Sequence, residues 1–84
     1  MNQKQRKILL LIFEKPTRSD LRYEDIKSFL LSLGVRFGKG RGSRVSFQYG
    51  VNSLHIHKPH PKKVLPKYSV ELVRDFLMGI GVTS

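Results

Sequence analysis

"SRVSFQYGVNSLHIHK" (Ser43–Lys58) decides the fold of this chain, because it contains two alternating segments separated by a glycine. Val45 and Phe47 fall on one face of the first segment, and polar residues fall on the other. Leu54 and Ile56 have the same arrangement in the second segment. Alternation with a period of two is typical of half-buried strands. The stretch therefore predicts a β-hairpin with one buried face and one open face.

The pairing register of this hairpin follows from its apolar residues, since a shift of the strands would break the buried face. With the turn at residues 50 and 51, the apolar pairs are Phe47 with Leu54 and Val45 with Ile56. The open face then carries polar residues from both strands, which are Arg44 opposite His57, Ser46 opposite His55, and Gln48.

Three segments outside the hairpin have the periodicity of helices. They are Asn2–Glu14, Tyr23–Gly34 and Tyr68–Gly81. In the second of these, apolar residues recur at i, i+3, i+4 and i+7 from residue 26 to residue 33, which is the spacing of one helix face. The order of elements is therefore helix, helix, three strands and helix.

Glycine and serine residues mark where we expect these elements to begin and end. Gly34 and Gly81 suit the left-handed position that follows a helix, and Ser69 suits the N-cap of the last helix. Val35–Phe37 predicts a short first strand, and Gly38–Gly42 predicts a flexible basic loop.

The predicted fold class is α+β, with two helices packed on one face of a three-stranded antiparallel sheet (α-β-β-β-α) and an extra N-terminal helix. We expect a single domain over residues 1–84, with residues 1–15 as an N-terminal helical extension and residues 20–82 as the core. The extension has three possible roles that the sequence does not separate: it completes the core, contacts a partner or mediates self-association.

Composition limits the classes of partner. Sixteen Lys and Arg against six Asp and Glu give a net charge of +10, which predicts a polyanionic partner, most often nucleic acid. An anionic membrane surface is the other common polyanion, but we expect no membrane partner. The alternatives are a basic surface that only keeps the protein in solution, or a basic protein held by an acidic partner. The chain has no cysteine, so disulfides and thiolate zinc sites are excluded. The apolar run Lys7–Phe13 is too short to span a membrane and lacks a cleavage site, so we expect a cytoplasmic protein.

All three histidines lie in "LHIHKPHP" (Leu54–Pro61), which indicates either a metal site or proton-transfer chemistry. A His-x-His strand with His60 as a third ligand has metal-binding spacing. The segment has no acidic residue and is strongly cationic, which disfavours a divalent cation, so we expect no metal and no cofactor. A simpler interpretation is that the histidines are polar residues on an exposed face. Arg44 opposite His57 instead favours phosphodiester cleavage, with the arginine holding a phosphate.

"GRGSRVSF", "LHIHKPHP" and "LPKYSVELVRDFLMGIGV", in this order, resemble the HicA toxins of bacterial toxin–antitoxin modules. The resemblance covers about Tyr23 to Val82, and the preceding segment resembles the extra helix of one HicA subgroup. It implies a fold like that of double-stranded-RNA-binding domains (dsRBD-like). It also implies a toxin that acts as a metal-independent endoribonuclease on mRNA (an mRNA interferase) and is neutralised by a HicB-like antitoxin.

One residue departs from the HicA pattern, in which Gly-Ser-His opens the middle strand and the histidine is catalytic. Here the stretch is Gly42-Ser43-Arg44, and arginine is a poor general base near neutral pH. We expect the base to be His57 first, then His55, then His60. His60 directly follows Pro59, near the place at the end of this strand where typical members have a Pro-x-His feature. The departure leaves two alternatives open, a catalytically inactive RNA-binding module of dsRBD-like fold and a structural or protein-interaction role.

The RNA backbone needs cationic and polar contacts around the histidines. The residues that we expect to supply them are Lys39, Arg41, Ser43, Ser46, Lys58, Lys62 and Lys63.

Overall fold

A computed structural model describes all residues from Met1 to Ser84 as an α+β fold with three helices and one antiparallel sheet. The elements in chain order are α1 (Gln3–Phe13), α2 (Tyr23–Ser32), β1 (Arg36–Lys39), β2 (Arg44–Tyr49), β3 (Asn52–His57) and α3 (Lys67–Gly79). The strands lie in the order β1-β2-β3. The predicted fold class is confirmed, and none of the helices combines the length and the apolar character needed to cross a bilayer.

The register of the β2–β3 hairpin is the one that the apolar pattern predicts. Phe47 pairs with Leu54, and Val45 pairs with Ile56. All four of these side chains are buried. The turn at Gly50 is tight, and the glycine has a φ of 60°, a conformation that other residues rarely adopt. One face of the sheet therefore packs against the core, and the other face is open to solvent.

The helices cover the apolar face of the sheet and share one hydrophobic core with it. Phe47 of β2 and Ile56 of β3 belong to the same buried cluster as Leu30 of α2 and Val73 of α3. Seventeen residues form this cluster. A chain of this length has only a small core, so loss of any one layer weakens the whole fold.

The N-terminal helix α1 is part of this core. Its Ile12 is fully buried, and Leu9 is nearly so. The buried guanidinium of Arg74 in α3 donates to the Ile12 carbonyl oxygen at 3.1 Å, the Glu14 carbonyl oxygen at 3.2 Å and the Thr17 hydroxyl at 3.0 Å. A cation is favourable at the carbonyl end of a helix. Of the three roles left open by the sequence, completion of the core is the one that this packing shows.

Two predicted helix ends are confirmed and one helix start is wrong. Gly34 and Gly81 have φ values of 87° and 83° and follow α2 and α3 in the conformation typical of a helix stop. Ser69 is not an N-cap, because α3 begins earlier, at Lys67, after Pro66. Ser69 is instead buried inside the first turn.

The basic glycine loop is shorter than predicted. Gly38 and Lys39 belong to β1 and pair with Ser46 and Val45 of β2. Gly38 suits this place because a Cβ atom there would lie only 3.0 Å from the Ser46 hydroxyl oxygen. The connection between β1 and β2 is therefore limited to residues 40–43, and its one cation, Arg41, lies close to the end of β3, where the Lys58 amide donates to the Ser43 carbonyl oxygen.

Candidate active site

The open face of the hairpin brings together the polar residues that the register predicts. Arg44 is the cross-strand partner of His57, and Ser46 is the partner of His55. Arg44 and both histidines are exposed, and Ser46 is half-buried. Since residues two apart on a strand point to the same side, the two imidazoles lie on one face, with their Cα atoms about 7 Å apart.

This face contains a cleft of about 580 Å³, which lies in the size range of small-molecule pockets. Strand residues form its floor, and the β1–β2 connection forms one wall. Its lining consists of Lys39, Gly40, Arg41, Arg44, Val45, Ser46, His55, Ile56 and His57. We call it the His57 cleft.

His57 is the one histidine of the chain whose ring is held by a side-chain hydrogen bond. Its Nδ1 lies 3.0 Å from the Ser43 hydroxyl oxygen. Ser43 is itself fixed, because its carbonyl oxygen accepts a hydrogen bond from the Lys58 amide at 2.7 Å. When Nδ1 carries the proton and donates to the hydroxyl, Nε2 is unprotonated and is the atom available as a base.

The cations of the His57 cleft have no carboxylate partner. The three ion pairs of the protein join Arg18 to Glu14, Arg18 to Asp20, and Lys58 to Glu24. Arg44, with the neighbouring Lys39 and Arg41, is therefore available to an anion that enters from solvent.

The charges of the whole molecule are distributed unevenly, and this distribution also favours an anion on the open face. Between Val35 and Pro66 there are seven Lys and Arg residues and no Asp or Glu. All six acidic residues lie in or next to the helices. The sheet and its connections thus form a cationic surface opposite a mixed helical layer, which favours a polyanion on the open face.

His60 does not share the His57 cleft. It lies in a second cleft at the start of α2, which we call the His60 cleft. Its lining consists of Arg22, Tyr23, Glu24, Lys58, Pro59, His60, Pro61 and Lys63. Of the predicted RNA-binding residues, Lys58 and Lys63 lie here, whereas Lys62 is exposed in the loop and lines neither cleft.

One residue that lines the His60 cleft is Tyr23, which is only 3% exposed. The Tyr23 hydroxyl is buried and has no hydrogen-bond partner in the protein. Burial raises the pKa of this hydroxyl, and the neighbouring Glu24 carboxylate adds to the shift. The hydroxyl therefore remains a protonated donor over the whole neutral range.

Two features of this surface were absent from the sequence-based prediction. Arg36 of β1 pairs with Gln48 and so lies on the open face. The apolar residues Val35 and Phe37 could have indicated this position of Arg36, since the residue between two inward-facing strand residues must point outward. The contact between Ser43 and His57 left no signal, because it depends on the shape of the connection before β2.

The histidines do not converge on a common point. No group of three His, Asp or Glu side chains has the placement needed to hold a metal ion. The arrangement instead pairs two imidazoles with an arginine, which are the groups needed for proton transfer around a phosphate.

Searches against protein-family models, curated proteins and solved structures found no match to this chain.

Proposed function

We propose that this protein is a HicA-type toxin, a metal-independent endoribonuclease that cleaves mRNA in the cytoplasm. The observation that carries the proposal is the alignment of Arg44, His55 and His57 on one open cationic face, with His57 oriented by Ser43. The resemblance of the strand and helix motifs to HicA toxins supports the same assignment.

In the proposed reaction, Nε2 of His57 removes the proton from a ribose 2′-hydroxyl. The 2′-oxygen forms a bond to the adjacent phosphorus, and the bond from phosphorus to the 5′-oxygen breaks. His55 gives a proton to that leaving oxygen. The products are a 2′,3′-cyclic phosphate and a 5′-hydroxyl, so the protons and bonds balance without a co-reactant.

Arg44 acts on charge rather than on protons in this mechanism. A guanidinium stays protonated at any physiological pH, so it does not serve as the base. Its fork geometry matches two phosphate oxygens and stabilises the charge that builds on them. The base thus moves from the middle strand of the HicA pattern to the facing residue on β3.

The test is cleavage of a long unstructured RNA in excess EDTA by the wild type and by His57→Ala. We expect the wild type to cut and the variant to lose about 10²- to 10⁴-fold in rate, the usual contribution of a general base. Equal rates for both proteins would contradict the assignment of His57.

The second candidate function is a catalytically inactive RNA-binding module, which Arg44 at the family's catalytic position favours. The same experiment separates the two. RNA that binds but stays intact with the wild type, on purified RNA and on translating ribosomes, would support this candidate and contradict the ribonuclease.

The proposed toxin needs an inhibitor, and the cationic open face of the toxin favours an inhibitor with an acidic surface. We expect a HicB-like antitoxin to be acidic where it covers Arg44 and His57. Protection of both side chains from chemical modification in the complex would support this, whereas an inhibited complex with the face fully reactive would contradict it.

A further inference from the structure

We propose that the His60 cleft binds a second phosphate of the RNA strand whose scissile phosphate lies in the His57 cleft. This inference rests on the proposed function for the position of the scissile phosphate. It adds a binding site on a different part of the surface, built from α2 and the loop after β3.

The charges of the His60 cleft favour an anion. Arg22, Lys58 and Lys63 line it, and Glu24 is its one carboxylate. The Glu24 carboxylate lies 4.0 Å from the Lys58 ammonium, and both side chains are more than half exposed. An exposed pair of this length contributes little, so an entering phosphate can take over the Lys58 ammonium.

The Tyr23 hydroxyl is a buried donor without a partner, on a residue that lines this cleft. Buried polar groups in native proteins nearly always have a partner, so an unpaired one needs an explanation. Tyr23 lines the cleft, and the Lys58 ammonium lies 5.8 Å from the centre of its ring. The hydroxyl is shielded from solvent, so a phosphate oxygen held at Lys58 would accept from it after a small shift of the Tyr23 ring or of the loop that covers it.

The cleft is formed before any ligand arrives. The Tyr23 amide donates to the Lys63 carbonyl oxygen at 2.9 Å, and the Leu65 amide donates to the Leu21 carbonyl oxygen at 2.8 Å. These bonds join the loop after β3 to the segment before α2. A fixed loop does not lose conformational freedom on binding, which favours affinity.

The two clefts are close enough for one RNA strand. His57 lines the first cleft and Lys58, the next residue, lines the second. The three residues from His57 to His60 span at most about 11 Å when fully extended. His57 faces the open side of the sheet and Lys58 contacts Glu24 of α2 on the other side, so RNA of a few nucleotides reaches both clefts by passing around the edge strand β3.

The experiment measures the binding of 2′-O-methyl oligonucleotides of two to eight nucleotides, which lack the attacking hydroxyl and stay intact. We expect Lys63→Gln to weaken binding of the longer oligonucleotides about two- to fivefold, the range of an exposed charge pair, and to leave the dinucleotide unchanged. Lys67→Gln is the matched control, because Lys67 is exposed nearby and lines neither cleft. Equal losses for both variants would overturn the proposal.

Two further variants test the site, one expected to strengthen oligonucleotide binding and the other to weaken it. Glu24→Gln removes the one carboxylate of the cleft, and we expect it to tighten binding of the longer oligonucleotides more than the charge-matched Glu71→Gln in α3. Tyr23→Phe removes an unpaired hydroxyl, so we expect unchanged or higher thermal stability together with weaker binding of the longer oligonucleotides. No difference between Glu24→Gln and Glu71→Gln, or no effect of Tyr23→Phe on binding, would contradict the proposal.

The outcome is independent of catalysis, because the oligonucleotides are not cut. A protein that fails to cleave RNA but shows the length-dependent effects would overturn the ribonuclease and keep the second phosphate site. Variants that change the binding of a polyglutamate peptide, but not of the oligonucleotides, would make the cleft a protein-docking site and overturn the inference.

Discussion

At the scale of single residues, one hydrogen bond distinguishes His57 from the other histidines. The Ser43 hydroxyl meets Nδ1 at 3.0 Å, so it sets both the orientation of the ring and the nitrogen that faces solvent. His55 and His60 have no such contact with a side chain. The position of a base matters as much as its chemistry, because proton transfer requires a short and aligned approach.

Removal of this hydrogen bond gives the residue-scale prediction. We expect Ser43→Ala to lower kcat about five- to tenfold, the effect of one neutral hydrogen bond, and to leave KM unchanged. Ser53→Ala is the control, since Ser53 is an exposed serine at the far end of β3. Single-turnover cleavage rates over a range of RNA concentrations measure both parameters. A change in KM alone would mean that Ser43 binds RNA and does not orient His57.

At the scale of elements, the helix ends and the helix packing hold the sheet in place. The two left-handed glycines that follow α2 and α3 were predictable, because few residues other than glycine adopt a positive φ. The start of α3 was not, since Pro66 and Ser69 both have the properties of a helix N-terminus. The buried role of Arg74 was also hidden, because it depends on a contact with a helix far away in the sequence.

A pair of glycines near the end of α3 tests the helix stop. Gly81 has a φ of 83°, so we expect Gly81→Ala to lower the free energy of unfolding by about 1 kcal/mol. Gly79 is helical, and a Cβ atom there would meet only Asn52, with its nearest atom at 3.4 Å. Gly79→Ala should therefore be neutral or stabilise by up to about 1 kcal/mol. Urea denaturation measures the change in the free energy of unfolding for each variant. Equal changes for the two variants would contradict the assignment of Gly81 as the left-handed helix stop.

The contact between α3 and α1 gives a second element-scale prediction. Arg74→Met removes three hydrogen bonds and leaves the last carbonyl groups of α1 without a donor. We expect a loss of about 2–3 kcal/mol in the free energy of unfolding, as for hydrogen bonds from a charged donor. Arg6→Met, on the exposed face of α1, is the control. A loss below that of the control would mean that α1 is held by its apolar contacts alone.

At the scale of the whole molecule, the chain separates its charges into two layers. The segment from Val35 to Pro66 carries seven Lys and Arg residues and no Asp or Glu, and its one ion pair with the helices joins Lys58 to Glu24. The open face was predictable from the sequence, because the strand alternation fixes which residues share a side. The separation of His60 from the other histidines was not predictable, since the bridge between Arg22 and Val64 sets the path of the loop.

Salt dependence of RNA binding tests this distribution of charge. We expect affinity for single-stranded RNA to fall steeply with salt, and the double variant Lys39→Gln/Arg41→Gln to reduce the slope of log K against log salt by about 1.4. Lys4→Gln/Lys7→Gln on α1 carries the same change in net charge and should leave the slope nearly unchanged. Equal slopes for the two double variants would mean that RNA is attracted by net charge alone.

The identity of the cut ends tests the proposed ribonuclease. RNA treated with the wild type in excess EDTA, beside His57→Ala, would be analysed by mass spectrometry of its fragments. An attack by the ribose 2′-oxygen with His57 as base predicts 2′,3′-cyclic phosphate and 5′-hydroxyl ends, formed by the wild type and missing with the variant. Fragments with a free 3′-hydroxyl and a 5′-phosphate would contradict this mechanism, and with it the role of the face that joins Arg44 to His57.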